Sequence, residues 1–320
     1  MGNEKKRHHY IPITYLNNFT DGTGRIFAYR KDNPNKPLHL VPAEIAFERY
    51  YYSQPLPDGG RDNNTLEDFF SSVESTWPGL VTALRAGTDS GFDFEALCTF
   101  MVLMRVRVPA TRDVVELSLA EQVKATAQVL DEGGKLPPKP EGFEDILDYM
   151  AVSIDPHQSL HAMSSLAHGF GLVLDHLSFE VLHNKTDIHF LTSDNPIAYF
   201  NPTAGEGRVL PYQVRPPHGP IELLFPIDAD TMLRGRTGLP SLGHTKLTNR
   251  QAVKRINRFI VRFGYRFVFA RDRTHDALIA KFASTSPTVK SVTVPGRTGG
   301  RFTFSECVFG PRPSKPKWDG

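Results

Sequence analysis

The feature that most constrains the fold of this chain is a long helical block, residues 64–183, set between stretches with strand-like sequence. Residues 8–53 contain short alternating runs such as RIFAY (25–29), which follows the turn DGTG. Residues 184–300 return to strand-like runs and include one basic helix at 246–263. This order indicates an α+β fold, a mixed or antiparallel sheet with a large helical block inserted between the N-terminal and C-terminal strand regions.

The chain divides unevenly. We expect residues 1–300 to form a single domain, because no internal repeat or linker interrupts them. Residues 301–320 are rich in Gly and Pro, and we expect a C-terminal segment there that ends in a loose tail.

Composition excludes several classes of protein. The two cysteines, Cys98 and Cys307, are too few for a disulfide framework or a four-cysteine zinc site, which favours a reducing compartment. The N-terminus has no apolar segment of a signal peptide, and the longest apolar stretch, 94–104, is too short to span a bilayer. We therefore expect a soluble, cytoplasmic protein with no membrane partner.

Two neighbouring helices carry regularly spaced charges. The segment 64–85 has an apolar stripe with two glutamates along one edge, and the segment 94–113 is apolar nearly all round until its arginines. In each helix the two charges are seven residues apart. We predict that the helices pack together with at least one salt bridge between two ladders: Glu67 and Glu74 on the first, Arg105 and Arg112 on the second.

A third helix, predicted at about 155–183, carries five histidines. His157 and His161 have the i, i+4 spacing with which two imidazoles reach one metal ion. The residues between them are Gln, Ser and Leu, so the glutamate of a zinc-protease HExxH motif is missing. We expect these histidines, with His168, to lie on a polar or interface face.

Six stretches resemble the DUF4238 family, a domain of unknown function found mostly in bacteria, and they occur in the family's order over residues 8–272. They are HHYIPITYLNNFTDGTGRIFAYRK (8–31), FERYYYS (47–53), LEDFFSSVEST (66–76), LCTFMVLMRVRVPATRD (97–113), FLTSDNPIAYFNP (190–202) and NRFIVRFGYRFVFA (257–270).

The resemblance implies no established activity. It does imply that polar positions of these motifs recur: His9, Pro12, Glu48, Glu67, Glu74, Arg105, Arg112, Ser193, Asp194, Asn195, Pro196 and Asn257. The sequence Arg107-Val108-Pro109 departs from the family pattern, in which an arginine stands close before the proline. Either Arg105 or Arg107 can take that role.

Two of these motifs can carry chemistry. His9 in HHYIP can act as a general base or a metal ligand, or make an ordinary loop hydrogen bond. Asp194 in SDNP can bind a metal or orient a histidine, or simply form an Asx turn. Both motifs lie at ends of strand-like runs, where loops collect polar groups, so we predict that His9 and Asp194 meet in space.

The basic segment 246–273 contains nine Lys or Arg and one acid, whereas 113–148 contains nine acids and three bases. The net charge of +2 therefore conceals two regions of opposite charge. Lys254, Arg258 and Arg262 share one helix face, as phosphate-contacting residues do. The alternative is that this surface docks on the acidic one within the fold or in a homodimer.

These observations lead to one main hypothesis, an enzyme that hydrolyses phosphodiesters in nucleic acid or a nucleotide, with a bacterial defence or toxin role as the expected setting. Its catalytic residues are His9, Glu74, Arg105, Arg112 and Asp194, and its ligands for a divalent metal, Mg²⁺ or Mn²⁺, are His9, Glu67 and Asp194. The chain has no P-loop, GxGxxG or GxSxG motif. The alternative hypothesis is a non-enzymatic module that binds nucleic acid or protein and has a structural polar core.

Overall fold

The computed structural model describes residues 5–87, 92–205, 207–239, 241–295, 301–316 and 318. The α-helices in these ranges are α1 (Ile13–Leu16), α2 (Thr65–Glu74), α3 (Trp77–Ala86), α4 (Phe94–Val106), α5 (Pro109–Glu132), α6 (Ile146–Tyr149), α7 (Pro156–His161), α8 (Met163–Leu174), α9 (Arg250–Phe263) and α10 (Asp276–Phe282).

The strands are β1 (Arg7–His9), β2 (Ile26–Arg30), β3 (Asn33–Leu40), β4 (Phe47–Arg49), β5 (Gln54–Pro55), β6 (Arg61–Asp62), β7 (Leu177–Asn184), β8 (Thr192–Ser193), β9 (Ala198–Phe200), β10 (Glu222–Pro226), β11 (Thr231–Thr237), β12 (Leu242–Leu247), β13 (Phe267–Ala270), β14 (Ser286–Pro295) and β15 (Arg301–Gly310).

A four-stranded antiparallel sheet joins the two ends of the family-like region. Its order is β3-β2-β13-β8, so strands from before the helical block pair with strands from after it. The helical block is therefore an insertion between strands of one sheet, and the predicted α+β class is confirmed.

A five-stranded sheet, in the order β12-β7-β11-β10-β9, is antiparallel except that β12 runs parallel to β7. Alternate residues of its strands enter two different cores. Phe179, Leu223 and Phe225 pack with the helical block, whereas Leu224 and Met232 pack with α9. Both faces are buried, which explains why LLFPI (223–227) is apolar throughout rather than alternating.

The helical block breaks at its prolines. The predicted helix 64–85 is two helices, and Pro78 is the second residue of α3, where its missing N–H costs nothing. The predicted helix 94–113 also divides, since Val108 is extended before Pro109, the first residue of α5. The third predicted helix ends at Leu174. No helix in the described ranges is long and apolar enough to cross a membrane.

The C-terminal segment is more ordered than its Gly and Pro content predicts. Residues 301–310 form β15, which pairs along its whole length with β14, so the predicted boundary at 300 falls within a hairpin. The predicted loose tail also contacts the body. Lys315 forms ion pairs with Asp113, at 2.9 Å, and with Glu116, both of which are buried on α5.

Two glycines of the five-stranded sheet make a matched test of this packing. A Cβ at Gly235 in β11 would lie 2.9 Å from Leu177 Cδ1 and 3.2 Å from Leu223 Cβ, whereas a Cβ at Gly243 in β12 would meet nothing within 4 Å. We expect Gly235→Ala to lower the free energy of unfolding by about 1–3 kcal/mol, the cost of overpacking, and Gly243→Ala to change it by less than about 0.5 kcal/mol. Urea titrations followed by circular dichroism measure both, and equal effects would contradict this account of the sheet.

Candidate functional site

Arg107 is the centre of a polar cluster beside the N-terminal motif HHYIP. Its side chain is buried, and Nη1 lies 2.6 Å from a Glu74 carboxylate oxygen. Its other nitrogens donate to backbone carbonyls, Nε to Tyr10 at 3.0 Å and Nη2 to His9 at 2.9 Å. One guanidinium therefore fastens the segment HHYIP to α2.

The position of Arg107 follows from the helix break described above. Val108 must be extended before Pro109, so α4 ends at Val106 and Arg107 is its C-terminal cap. Its backbone keeps helical angles, φ −86° and ψ −12°, so the side chain leaves from the last turn of α4, two residues beyond Arg105 and on the opposite side of the helix. The predicted ladder is wrong in its partners, because Glu74 pairs with Arg107, but correct in packing α2 against α4.

Glu67 and His9 lie in the same electrostatic neighbourhood. Burial raises the pKa of Glu67 to about 7, a shift that the positive charge of Arg107 opposes and the negative charge of Glu74 reinforces. Glu67 Oε1 is buried without a hydrogen-bond partner in the described structure. Burial lowers the pKa of His9, and the same two charges act on it in opposite directions. The structure thus groups His9, Glu67 and Glu74 around Arg107.

His9 and His8 have different surroundings. His8 is fully buried, its Nε2 lies 3.0 Å from the Lys5 carbonyl, and its Nδ1 accepts the backbone N–H of Tyr52 at 2.9 Å. His9 is half-buried, with Nε2 3.4 Å from the Ala43 carbonyl and its ring against Phe47. Of the two, His9 is the one with a ring nitrogen near solvent.

Arg112 belongs to a separate contact set. Its nitrogens donate to Ser159 Oγ at 2.9 Å, to the Tyr51 carbonyl at 2.6 Å and to the Pro156 carbonyl at 2.8 Å. The guanidinium also lies 4.1 Å from the centre of the Tyr51 ring. These contacts hold α5 to α7 and engage all three nitrogens, so they are sufficient to explain a buried arginine.

Arg105 lies among aromatic rings. Its guanidinium is 3.8 Å from the centre of the Tyr212 ring, and Nη1 donates to Thr111. Arg105 Nε is buried without a hydrogen-bond partner in the described structure, as is Asn195 Oδ1. Asn195 in turn donates to the Tyr212 hydroxyl at 2.5 Å. Arg105 and Asn195 therefore meet through Tyr212, a contact that no sequence spacing indicates.

Asp194 binds backbone. Its two carboxylate oxygens accept the N–H groups of Tyr265, at 2.8 Å, and Arg266, at 2.7 Å. The side chain is fully buried, and burial raises its pKa although these amides act in the opposite sense. Among the described contacts none joins Asp194 to His9, so the two motifs do not form the predicted pair.

A histidine–carboxylate pair does occur elsewhere, between His189 Nδ1 and Asp230 at 2.8 Å. The Asp230 hydrogen bond raises the pKa of His189, and Asp272 lies 3.7 Å from the other ring nitrogen. The pair borders a polar cavity of about 300 Å³ lined by Arg85 and Arg271. Sequence reasoning missed it because the two aspartates come from distant parts of the chain: Asp230, between β10 and β11, is about forty positions after His189, and Asp272, after β13, about eighty.

The residues proposed as metal ligands do not come together. In the ranges that the structure describes, no three His, Cys, Asp or Glu side chains are close enough to hold one ion. His157 and His161 lie on α7, His168 lies on α8, and His176 and His183 lie after the end of α8, the latter in β7. Glu67, His9 and Asp194 therefore do not fit a shared divalent cation.

The basic helix exists as α9, at Arg250–Phe263, with an apolar face in the second core. Lys254 is exposed and Arg258 and Arg262 are half-buried on its other face. Arg262 lies 4.0 Å from the centre of the Phe309 ring in β15. Part of the predicted phosphate-contacting row therefore packs against the C-terminal hairpin.

A cavity of about 600 Å³ lies between α2, α4 and α8. We call it the helical groove. A second hollow of about 320 Å³ shares Val73, Glu95 and Thr99 with it and extends it along α4. Apolar side chains dominate its wall: Leu66, Phe69, Phe70, Val73, Cys98, Val102, Leu103, Val106, Leu160, Met163, Ala167 and Leu174.

The rim of the helical groove is acidic. Glu95 and Asp175 border the main cavity and Asp93 the extension, and all three are exposed. Among the described residues that line the groove, His161 is the only one whose side chain can carry a positive charge. Phe69, on the lip, is 55% exposed. An apolar floor with a negative rim attracts an apolar group that carries positive charge beside it.

Comparison with known proteins gave one match. A family model described as "Protein of unknown function (DUF4238)" matches residues 7–274, which is most of the chain. No curated protein and no solved structure matches the chain.

The raised pKa of Glu67 predicts a pH-dependent difference between the protein and its Glu67→Gln variant. In the folded protein the Glu67 carboxyl has a pKa of about 7 and keeps its proton below that pH, whereas in the unfolded chain the carboxyl loses the proton near its ordinary pKa of 4.5. Stability relative to Glu67→Gln is therefore lost as pH rises through this window. We expect the two proteins to be close in stability at about pH 4.5 and the variant to be more stable at about pH 8.

Urea titrations at several pH values measure this difference. Glu74→Gln serves as the comparison, because it removes the partner of buried Arg107 and should destabilise the protein. A difference between Glu67→Gln and the unmodified protein that stays constant with pH would contradict the assignment.

Proposed function

This chain belongs to the DUF4238 family, whose description assigns no activity, and we propose from its own geometry that it is a protein-binding module. Its helical groove takes the apolar face of an amphipathic helix that carries basic residues. The observation that carries the proposal is the size and apolar lining of this cavity between three helices.

The buried polar residues support the proposal because their side chains already bind the backbone of distant segments. Arg107 and Arg112 each bind backbone carbonyls from distant segments, and Asp194 binds two backbone amides. Removing such a side chain leaves its buried backbone partners without hydrogen bonds, which costs about 1–3 kcal/mol for each group. These residues are therefore explained by the fold, without a reaction.

The groove supports the proposal by its shape. Helix recognition uses anchors at positions i, i+3, i+4 and i+7 in an elongated apolar groove, and the main cavity and its extension lie along α4, about 20 Å long by helical rise. Each fully buried leucine contributes roughly 1.5–3 kcal/mol. Three such anchors contribute roughly 4.5–9 kcal/mol before the cost of association is subtracted, so we expect a dissociation constant that is micromolar or weaker.

A defined probe tests the occupant. We take a Leu/Lys amphipathic peptide of about 18 residues, five helical turns, with two controls, a Leu/Glu peptide of the same pattern and a scrambled Leu/Lys peptide. We expect only the patterned Leu/Lys peptide to bind, because it matches both the floor and the acidic rim. Fluorescence anisotropy measures the affinity, and equal binding of the scrambled peptide would contradict the proposal.

Variants of the chain locate the binding. Phe69→Asp places a charge on the groove lip and should weaken binding at least tenfold, whereas Tyr149→Asp, at an 85% exposed residue on α6, should leave it unchanged. Glu95→Lys with Asp175→Lys should shift preference toward the Leu/Glu peptide. Cys98 lies in the groove wall and Cys307 in β15. Bound peptide should therefore slow alkylation of Cys98 alone.

The phosphodiesterase hypothesis rests on the cluster of His9, Glu67 and Glu74, in which Glu67 has a pKa of about 7 and can exchange a proton near neutrality. The test is hydrolysis of bis(p-nitrophenyl) phosphate with and without Mg²⁺ or Mn²⁺. Turnover that His9→Gln and Glu67→Gln abolish, without a fall in melting temperature, would support this enzyme over the binding module.

The nucleic-acid hypothesis rests on Lys254, Arg258 and Arg262 on the outer face of α9. If they contact duplex DNA, the logarithm of the affinity should fall with the logarithm of salt concentration by about 0.9 for each phosphate contact. Lys254→Glu should then reduce that slope by about one contact. An unchanged slope, or no binding at low salt, returns this face to an intramolecular role.

A further inference from the structure

The C-terminal hairpin, β14 with β15, is anchored to the body at its base. Phe309 packs edge-on against Phe263 of α9, with ring centres 5.0 Å apart, and Arg262 lies over its face. Gln213 donates from Nε2 to the Cys307 carbonyl at 3.2 Å. These contacts fix the direction in which the hairpin leaves the body. The family match ends at residue 274, before the hairpin begins.

The outer half of the hairpin presents four apolar side chains on one face. Val292 pairs with Phe304 and Val294 with Phe302 across the strands, and residues two apart share a face. Phe302 is 60% exposed and Phe304 63% exposed. With the two valines they form a patch of about 300–400 Å², within the range at which exposed apolar patches mark interaction sites.

The strand edges of the hairpin are also open. Among the described strands, β14 and β15 pair only with each other. A strand edge without a neighbour offers a row of backbone N–H and C=O groups to another chain. The same face therefore combines apolar area with unpaired backbone at its borders.

Charge on this face indicates what covers it. Lys290 stands directly opposite Glu306, on the same face as the apolar patch and next to it, and both are exposed. An interface about a twofold axis needs a surface that complements itself. One cation beside one anion meets this requirement, since Lys290 of one copy can face Glu306 of the partner without like-charge repulsion.

We propose that this face of the hairpin, from Lys290 to Val294 and from Phe302 to Glu306, is the contact between two copies of this chain. The interface is isologous, with the apolar patches packed together and the Lys290 and Glu306 pairs of the two copies at its flank. Its area is below the roughly 800 Å² per partner of a standard interface, so we expect a weak dimer that forms only at high protein concentration. The proposal does not depend on the helical groove.

Sedimentation velocity over a wide range of protein concentration tests the association. We expect the mass to rise from the 35.8 kDa of one chain toward twice that value. Phe302→Ser with Phe304→Ser should remove the rise, whereas Tyr149→Ser, an exposed aromatic residue on α6, should leave it intact. A chain that stays monomeric, or a double variant that associates as well as the unmodified chain, overturns the proposal. Melting temperatures show that the variants remain folded.

Charge exchange separates an intermolecular pair from an effect within one hairpin. Lys290→Glu puts two acids on each hairpin and Glu306→Lys puts two bases there, so each variant alone should associate at least tenfold more weakly at low salt. An equimolar mixture of the two should recover association as a mixed dimer, and high salt should abolish the recovery. A mixture that associates no better than its components overturns the proposed orientation.

Discussion

The fold depends on two buried charges that hold one stretch of backbone, the exit of α9 at residues 261–266. The carboxylate of Asp194 accepts the N–H groups of Tyr265 and Arg266. The ammonium of Lys31 donates to the carbonyls of Val261 and Gly264, at 2.8 and 2.7 Å. Backbone amides therefore satisfy the carboxylate, and backbone carbonyls satisfy the ammonium. The opposite charges of Asp194 and Lys31 also attract each other. Burial nevertheless lowers the pKa of Lys31 to about 7, because the loss of hydration outweighs these contacts.

This arrangement brings the two halves of the chain together. Lys31 directly follows β2, Asp194 directly follows β8, and the stretch they hold leads into β13. The three strands are neighbours in the four-stranded sheet, so the pairing of N-terminal with C-terminal strands coincides with the charge pair. Gly264 fits the site because a Cβ there would lie 3.1 Å from the Cβ of Ser193 and 3.2 Å from the Phe267 carbonyl.

The features that can be predicted from the sequence are those set by neighbouring residues along the chain. Apolar periodicity predicts the helical block, and the steric effect of proline explains its breaks, because both act through neighbours along the chain. The partner of Glu74 could not be predicted, because Arg105 and Arg107 lie on opposite sides of α4 and only the packing of α4 decides which of them meets α2. Asp194 was assigned to chemistry for a similar reason. A carboxylate at a strand end has the same sequence pattern whether it binds a histidine or the backbone amides of a segment about seventy residues away.

The same physics separates the residues that make the family resemblance from those that are free to bind. Asn257 shows the first kind. Its Oδ1 accepts the N–H of Leu191 and its Nδ2 donates to the carbonyl of His189, so one side chain satisfies both directions of a strand-like segment. A polar group buried in this way cannot turn to a ligand without leaving backbone groups unpaired, at about 1–3 kcal/mol each. The binding that we propose therefore uses surfaces whose groups hold no backbone in place, and the helical groove and the exposed hairpin face are surfaces of that kind.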